Sequence, residues 1–150
     1  MEPRVRDIPV AADRFEVMTD DVMFRAELRS AIAVCIYDAV DEAGALLHLR
    51  FIFRGAQPAE VTDTTLAAEL LLLDRCVESL RKVAPAARAL QVKIAAHLPE
   101  GARPDACDRV LELLVQYLKD AGATVAPADI GFGPPRNLHF RPSMGWVQLR

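Results

Sequence analysis

Three histidines and three cysteines are the side chains of this sequence best suited to catalysis or metal binding. The apolar stretch from Ser30 to Phe53 contains one of each, Cys35 in its first half and His48 in its second. A histidine beside a thiol or hydroxyl acts as a general base and converts that group into a nucleophile. The chemistry of His48 therefore depends on which residue the fold places next to it.

The same stretch predicts a β-hairpin, because two apolar runs flank an acidic connector at Asp38–Glu42. Directly paired residues of a hairpin have Cβ atoms about 5 Å apart. If Cys35 lies opposite Gly44, the same count places Ala31 opposite His48. An alanine methyl group cannot attack a carbonyl carbon, so the predicted pair has a base and no nucleophile.

Two neighbouring residues carry groups that could replace the nucleophile, and strand geometry disfavours both. Cys35 lies four residues from Ala31 on the same strand face, which is about 13 Å at the rise of an extended chain. Ser30 is adjacent, but in an extended strand it points to the opposite face. Without a partner, His48 is expected to be a hydrogen-bonded residue at the edge of the core.

Composition predicts one globular domain over residues 1–150. The chain is 52% hydrophobic and 26% charged, with a net charge of −3 from interspersed acids and bases. This distribution argues against a nucleic-acid surface or a basic membrane-binding face. Charged residues interrupt every long apolar run before it reaches the roughly 20 residues of a membrane span. Charges also fill the N-terminal segment where a signal peptide would be apolar, so we expect a cytoplasmic protein.

The cysteine and histidine spacings predict neither a disulfide framework nor a metal site. The cysteines are odd in number, far apart and in apolar surroundings, as expected of buried reduced thiols: Cys35, Cys76 and Cys107. The histidines are equally scattered: His48, His97 and His139. We therefore expect no metal and no cofactor.

Hydrophobic periodicity predicts strands and helices in succession. Two helices are expected, one from an N-cap at Thr62–Asp63 to about Lys82, and one from Pro104 to a stop at Gly122. Strands are expected in the first nineteen residues and at Val22–Arg29, Leu90–Ile94, Thr124–Ala126, Leu138–Phe140 and Trp146–Leu149. The pattern indicates the α/β class: a single-domain layered sandwich with a mixed, mostly antiparallel β core and two main helices outside it.

The central stretch resembles a known family. Ser30–Asp38 reads S-A-I-A-V-C-I-Y-D and Gly44–His48 reads G-A-L-L-H. These runs are similar to the central motif of the CheD family of chemoreceptor glutamine deamidases, roughly T-x-G-L-G-S-C-V-A-V-C-x-x-D followed by G-x-x-x-H. Weaker matches follow in the family's order at Val61–Asp63, Gln91–Ile94, Ala128–Gly131 and Arg136–Phe140. The resemblance implies the same layered fold over most of the chain.

The departures from the family motif fall on its chemistry. Position 31 is alanine where the family has its nucleophilic cysteine, and position 25 is arginine where it has a catalytic threonine. Two glycines before the nucleophile are replaced by Glu27 and Arg29. Of the groups that the resemblance implies for catalysis, only the base, His48, remains. We expect the loop that contains those glycines in the family to be absorbed here into a longer strand.

The resemblance thus implies a deamidase scaffold with a vestigial base, His48, and a degenerate site at Arg25, Ser30 and Ala31. Two interpretations of the charged residues stay open: a solvated strand face, or a surface that fills the old pocket or recognises an acidic partner. On the second, the binding surface would comprise Glu27, Arg29 and His97.

Two functions follow from these interpretations. The first is a non-catalytic protein of chemosensory signalling that binds chemoreceptor cytoplasmic helices or a CheC-type phosphatase. The alternative is an active deamidase with a displaced nucleophile.

Overall fold

The computed structural model describes residues 5–38, 42–50, 53–54, 57–58, 63–85, 89–103, 105 and 107–150. The strands, in chain order, are Arg6–Pro9 (β1), Arg14–Met18 (β2), Val22–Leu28 (β3), Ala31–Asp38 (β4), Ala43–Arg50 (β5), Phe53–Arg54 (β6), Gln57–Pro58 (β7), Gln91–Leu98 (β8), Thr124–Val125 (β9), Asp129–Phe132 (β10), Arg136–Arg141 (β11) and Trp146–Leu149 (β12). The helices are Asp63–Val83 (α1) and Asp108–Asp120 (α2), and a 3-10 helix covers Pro142–Met144.

Ten of the strands form two mixed sheets. One sheet has the order β1-β3-β11-β12, and the other has the order β10-β8-β4-β5-β2, with β9 also paired to β8. Most ladders are antiparallel, whereas β1 with β3, and β8 with both β9 and β10, are parallel. The short strands β6 and β7 pair separately. The predicted fold class is confirmed.

Three layers result, because the two faces of the larger sheet are covered by different partners. Ile32, Val34 and Ile36 of β4 join a core cluster with α1 and α2. Ala31 and Cys35 of the same strand join a second cluster with β3 and β11 of the smaller sheet. Strand β4 is therefore buried on both faces, as its nearly continuous apolar sequence requires.

The helices begin and end close to their predicted positions. The predicted N-cap of α1 falls partly on Thr62, which lies outside the described residues. The predicted start of α2 at Pro104 also lies outside the described residues. The described helix begins at Asp108, whose N–H donates to the Asp105 carbonyl, and it stops before Gly122 as predicted, with that glycine at φ 89°. The sequence analysis did not predict β10. No helix in the described part of the chain combines the length and apolar character that crossing a bilayer requires.

The predicted hairpin register is wrong by two residues. Cys35 pairs with Leu46, and His48 pairs with Ala33 rather than with Ala31. The register of a hairpin is fixed by the length of its connection, which the hydrophobic pattern alone does not determine. In the observed register residues 39–42 connect the strands. Since the shift is even, Ala31 and His48 still share a sheet face.

An acidic side chain joins the turn between β2 and β3 to the far end of β11. The Asp21 carboxylate accepts hydrogen bonds from Arg141 Nε at 3.0 Å and Nη2 at 2.6 Å, and from Ser143 Oγ at 2.7 Å. The 3-10 helix that follows packs against β5, where a Cβ on Gly44 would lie 2.3 Å from the Pro142 ring. A glycine is needed at that point because any side chain would overlap the proline.

Asp21→Asn is expected to destabilise the protein by about 2–4 °C in Tm at pH 7. Hydrogen bonds from Arg141, and then from Ser143, hold the pKa of the Asp21 carboxyl below its ordinary value. The folded state therefore binds fewer protons than the unfolded chain, and this stabilisation is present above the ordinary carboxyl pKa. It is lost as the pH falls through the lower folded-state pKa, where Asp21→Asn and the parent should converge.

Asp20→Asn is the matched control for this measurement, since Asp20 is a neighbouring carboxylate paired only across an exposed 3.2 Å contact with Arg6. Thermal unfolding of both variants from pH 3 to pH 8 makes the comparison. Equal effects of the two substitutions at pH 7 would contradict the assigned role of Asp21.

Candidate functional site

Position 31 lies at the end of the central strand, between two polar neighbours. Ala31 is 1% exposed and pairs with Arg50 of β5 on one side and His97 of β8 on the other. His48 is its diagonal neighbour on the same face, at a spacing that a ring can bridge. The sequence analysis placed His48 opposite this position and did not place His97 there at all.

The His48 ring is buried and oriented by a backbone carbonyl. Its Nδ1 lies 2.9 Å from the carbonyl oxygen of Val10, in the connection between β1 and β2. A carbonyl only accepts hydrogen bonds, so Nδ1 carries the proton and donates. In the neutral ring, Nε2 then has the free lone pair. This tautomer suits a general base, although the residue paired with His48 on the neighbouring strand is Ala33.

His97 is held by a hydrogen bond on each ring nitrogen. The backbone N–H of Ser30 donates to Nδ1 at 2.8 Å, and Nε2 lies 2.7 Å from the carbonyl oxygen of Gly133. These partners select the neutral tautomer with the proton on Nε2. His97 is only 3% exposed. The expectation that it contributes to a binding surface is corrected, because neither nitrogen is available to a partner.

The expectation that Ser30 lies in an extended strand, on the face opposite that of Ala31, is also corrected, because Ser30 lies between β3 and β4 and belongs to neither strand. Strand β3 belongs to the smaller sheet and β4 to the larger one, so the chain crosses between sheets through residues 29 and 30 alone. Ser30 makes this sharp turn with φ 47°, a left-handed conformation that costs a non-glycine residue about 1 kcal/mol. Its hydrogen bond to His97 holds the turn in place. Strand β3 includes Glu27 as predicted, but it ends at Leu28, one residue before the predicted end at Arg29.

The charged residues before position 31 lie at the protein surface. The Arg25 guanidinium is 3.6 Å from the Asp7 carboxylate, and Arg29 Nε donates to Glu27 at 2.6 Å. Roughly half or more of each of these side chains is exposed. Exposed ion pairs of this kind contribute at most about 1 kcal/mol to the free energy of unfolding.

A groove of about 810 Å³ runs along this surface and reaches His48. The connection between β1 and β2 forms one wall, and β3 and β11 form the floor. Its charged and polar lining includes four arginines, two histidines and one carboxylate: Arg25, Arg29, Arg50, Arg150, His48, His139 and Glu27. The remaining lining is mostly small and apolar: Pro9, Val10, Ala11, Ala12, Ala26, Asn137 and Leu138.

The cysteine thiols are buried and remote from this groove. Burial raises the pKa of Cys35 far above its ordinary value, and the nearby Lys93 charge only partly opposes it. Burial also raises the pKa of Cys76 to about 12 and raises that of Cys107. A thiol attacks as its thiolate, so none of the three is poised to act as a nucleophile. In the described part of the chain no three metal-ligating side chains cluster.

Other residues in the matched segments hold the scaffold together. Lys93 Nζ donates to the carbonyl oxygen of Gly145 at 2.7 Å, across the two sheets. Both terminal nitrogens of Arg136 donate hydrogen bonds to the Asp129 carboxylate, at 3.0 and 3.3 Å. These bonds join β11 to β10. Each of these contacts therefore connects the larger sheet to the smaller one.

Each of the curated relatives named here is described as a chemoreceptor glutamine deamidase CheD or a probable one. A probable chemoreceptor glutamine deamidase CheD from Ralstonia pickettii is 26% identical over 152 residues, covering 97% of this chain and 62% of the relative. The chemoreceptor glutamine deamidase CheD of Thermotoga maritima is 27% identical over 128 residues, covering 82% of this chain and 77% of the relative. A probable chemoreceptor glutamine deamidase CheD from Desulfitobacterium hafniense is 25% identical over 150 residues, covering 93% of this chain and 89% of the relative. The chain spans less than two thirds of the Ralstonia relatives. No family model matches it.

His97→Phe is expected to lower the free energy of unfolding by about 2–4 kcal/mol. The substitution leaves the Ser30 N–H and the Gly133 carbonyl without their partner in a buried position. His139→Phe is the control, because His139 lies on the outer face of the smaller sheet, half-buried, and should change stability by less than about 1 kcal/mol. Urea unfolding of both variants provides the measurement. A His97 variant as stable as the parent would show that the hydrogen bonds do not hold the turn.

Proposed function

Because the chain belongs to the CheD family, we propose that it is a non-catalytic member that acts in chemosensory signalling by binding a partner. Side-chain deamidation needs a nucleophile that attacks the carboxamide carbon, a base that activates it and donors for the oxyanion. The observation that carries the proposal is the methyl group of Ala31, at the position that matches the family nucleophile. It has no lone pair and cannot form the acyl-enzyme bond.

The retained base does not supply the missing group. His48 has its Nδ1 on the Val10 carbonyl, so its Nε2 could accept a proton, but position 31 offers none. His97, directly opposite Ala31, has both nitrogens occupied and cannot act instead. We interpret His48 as a structural residue that orders the connection between β1 and β2.

The alternative is an active deamidase with a displaced nucleophile, and Cys35 is its strongest candidate. Cys35 is fully buried between Leu46 and Lys93 of the neighbouring strands, and its pKa is raised. A substrate glutamine would have to enter the space between the two sheets to reach it. Ser30 is the other candidate nucleophile. It lies in the turn where the chain crosses between the sheets, and its backbone N–H donates to His97. These features favour binding over catalysis.

The proposed partners follow from the family relationship. The relatives are named for acting on chemoreceptors, and we propose that this chain binds the cytoplasmic helices of a chemoreceptor or a CheC-type phosphatase. It would then be located in the cytoplasm. The binding surface would include the exposed side chains of Glu27 and Arg29, next to the former catalytic position.

The wild-type protein is expected to release no ammonia from a purified chemoreceptor cytoplasmic fragment, and mass spectrometry should detect no conversion of glutamine to glutamate. The Thermotoga maritima relative serves as the positive control. Ala31→Cys alone should remain at least about a hundredfold slower than that relative, because loss of one oxyanion donor already costs about 3 kcal/mol. Glu27 and Arg29 also replace the glycines that would let backbone amides approach the substrate.

A combined variant separates the missing thiol from the other changes. Ala31→Cys with Arg25→Thr, Glu27→Gly and Arg29→Gly restores the family motif and should be faster than Ala31→Cys alone. Cys35→Ser tests the displaced nucleophile. Wild-type turnover that disappears in Cys35→Ser would overturn the non-catalytic proposal, and full activity of Ala31→Cys would show that the arginines and Glu27 do not obstruct the site.

A further inference from the structure

The groove concentrates positive charge in a protein whose net charge is −3. Four guanidinium groups line it, and three of them have a carboxylate within 3.6 Å, those of Asp7, Glu27 and Asp13. Within the residues that the structure describes, the Arg150 guanidinium has no such partner, so guanidinium groups remain in excess. The groove therefore has the electrostatic character of a site for an anionic ligand.

The arginines of the groove are held by contacts that a ligand can replace. Arg50 is 3.4 Å from the Asp13 carboxylate, and Arg25 is 3.6 Å from that of Asp7. Both arginine side chains are more than half exposed, so these pairs are weak and screened by salt. Among the described residues, the Arg150 side chain has a single hydrogen-bond partner, the neutral amide of Gln148, at 3.5 Å from Nη2. A carboxylate entering the groove could exchange with these partners at little cost.

We propose that this groove binds an acidic protein segment, that Arg25, Arg50 and Arg150 contact its carboxylates, and that it selects glutamate over glutamine. The proposal rests on the proposed function and names the chemistry of the partner. Guanidinium groups match a carboxylate because two parallel N–H donors meet its two oxygens. A carboxamide offers one acceptor oxygen and no charge. Arginine at position 25 thus gives the groove a preference for the ionised side chain.

The size and lining of the groove favour a protein segment. A volume of about 810 Å³ exceeds what one small carboxylate would fill, and it lies within the range of sites for larger ligands. The apolar wall formed by Val10, Ala11 and Ala12 can cover the methylene groups of glutamate side chains. Single-stranded nucleic acid is bound by aromatic platforms for its bases, and the described lining contains no phenylalanine, tyrosine or tryptophan. The acidic remainder of the protein would also repel a long polyanion.

Fluorescence anisotropy with two labelled peptides tests the proposal. One is an alanine-rich peptide with glutamate at every fourth position, and the other is its twin with glutamine at the same positions. The glutamate peptide should bind at least about tenfold more tightly, a difference of about 1.4 kcal/mol. Its affinity should fall as salt is raised, because exposed charges are screened over about 10 Å at 0.1 M.

Arg25→Gln and Arg50→Gln should each weaken binding of the glutamate peptide by about threefold to tenfold. Arg103→Gln is the matched control, since Arg103 is an equally exposed arginine paired with Asp105 at 3.3 Å and lies outside the groove. It should leave the affinity unchanged. All three substitutions are at the surface, and circular dichroism with thermal unfolding verifies that each variant folds like the parent.

Equal affinity for the two peptides, or no effect of Arg25→Gln and Arg50→Gln, would overturn the proposal. So would a single-stranded oligonucleotide of the same charge that binds the groove more tightly than the glutamate peptide. These results are independent of the ammonia assay. Loss of peptide selectivity with no ammonia release removes only the groove assignment, whereas selective peptide binding together with wild-type deamidation overturns only the non-catalytic function.

Discussion

The architecture depends on the different sizes of the side chains on the two faces of strand β4. Branched Ile32, Val34 and Ile36 face the helices, where the sheet needs bulk to fill the space against α1 and α2. Small residues, Ala31 among them, face the second sheet and let the two sheets approach. The contact between Gly44 and Pro142 continues this close approach at the other end of the hairpin. Position 31 thus belongs to a tightly packed interface between the sheets, where a methyl group is accommodated.

Contacts between the two sheets hold the scaffold together independently of position 31. Lys93 and the pair formed by Asp129 and Arg136 lie in segments that match the family, and each connects one sheet to the other. Loss of Lys93 would leave the part-buried Gly145 carbonyl without its donor. Loss of Asp129 would leave the largely buried Arg136 guanidinium without its carboxylate. Position 25, in contrast, is exposed, so its substitution costs little. Selection for folding alone would preserve the first set of residues and leave the charges of the groove free to change.

Local patterns in the sequence were sufficient to predict the two helices, most strands, the α/β class with the helices outside a β core, and the shared face of Ala31 and His48. Period-two alternation determines a face, and an error of two residues in register preserves it, which is why Ala31 and His48 were correctly assigned to one face but wrongly paired. Register depends on the length of the turn, and position 31 also pairs with β8, sixty-six residues away in the chain. The role of His97 was not predictable for the same reason: its partners, Ser30 and Gly133, come from turns that are distant in the sequence.

The two histidines near position 31 now have different consequences for any chemistry at this site. His97 is the direct neighbour, but Ser30 and Gly133 use its whole hydrogen-bonding capacity, so it can only hold the turn. His48 is the diagonal neighbour, and the Val10 carbonyl leaves its Nε2 lone pair available. A thiol at position 31 would therefore depend on the more distant ring for its activation, in a site whose entrance is lined by guanidinium groups. Guanidinium groups favour an ionised side chain over a neutral carboxamide, and this preference is the basis on which we propose that the groove recognises glutamate.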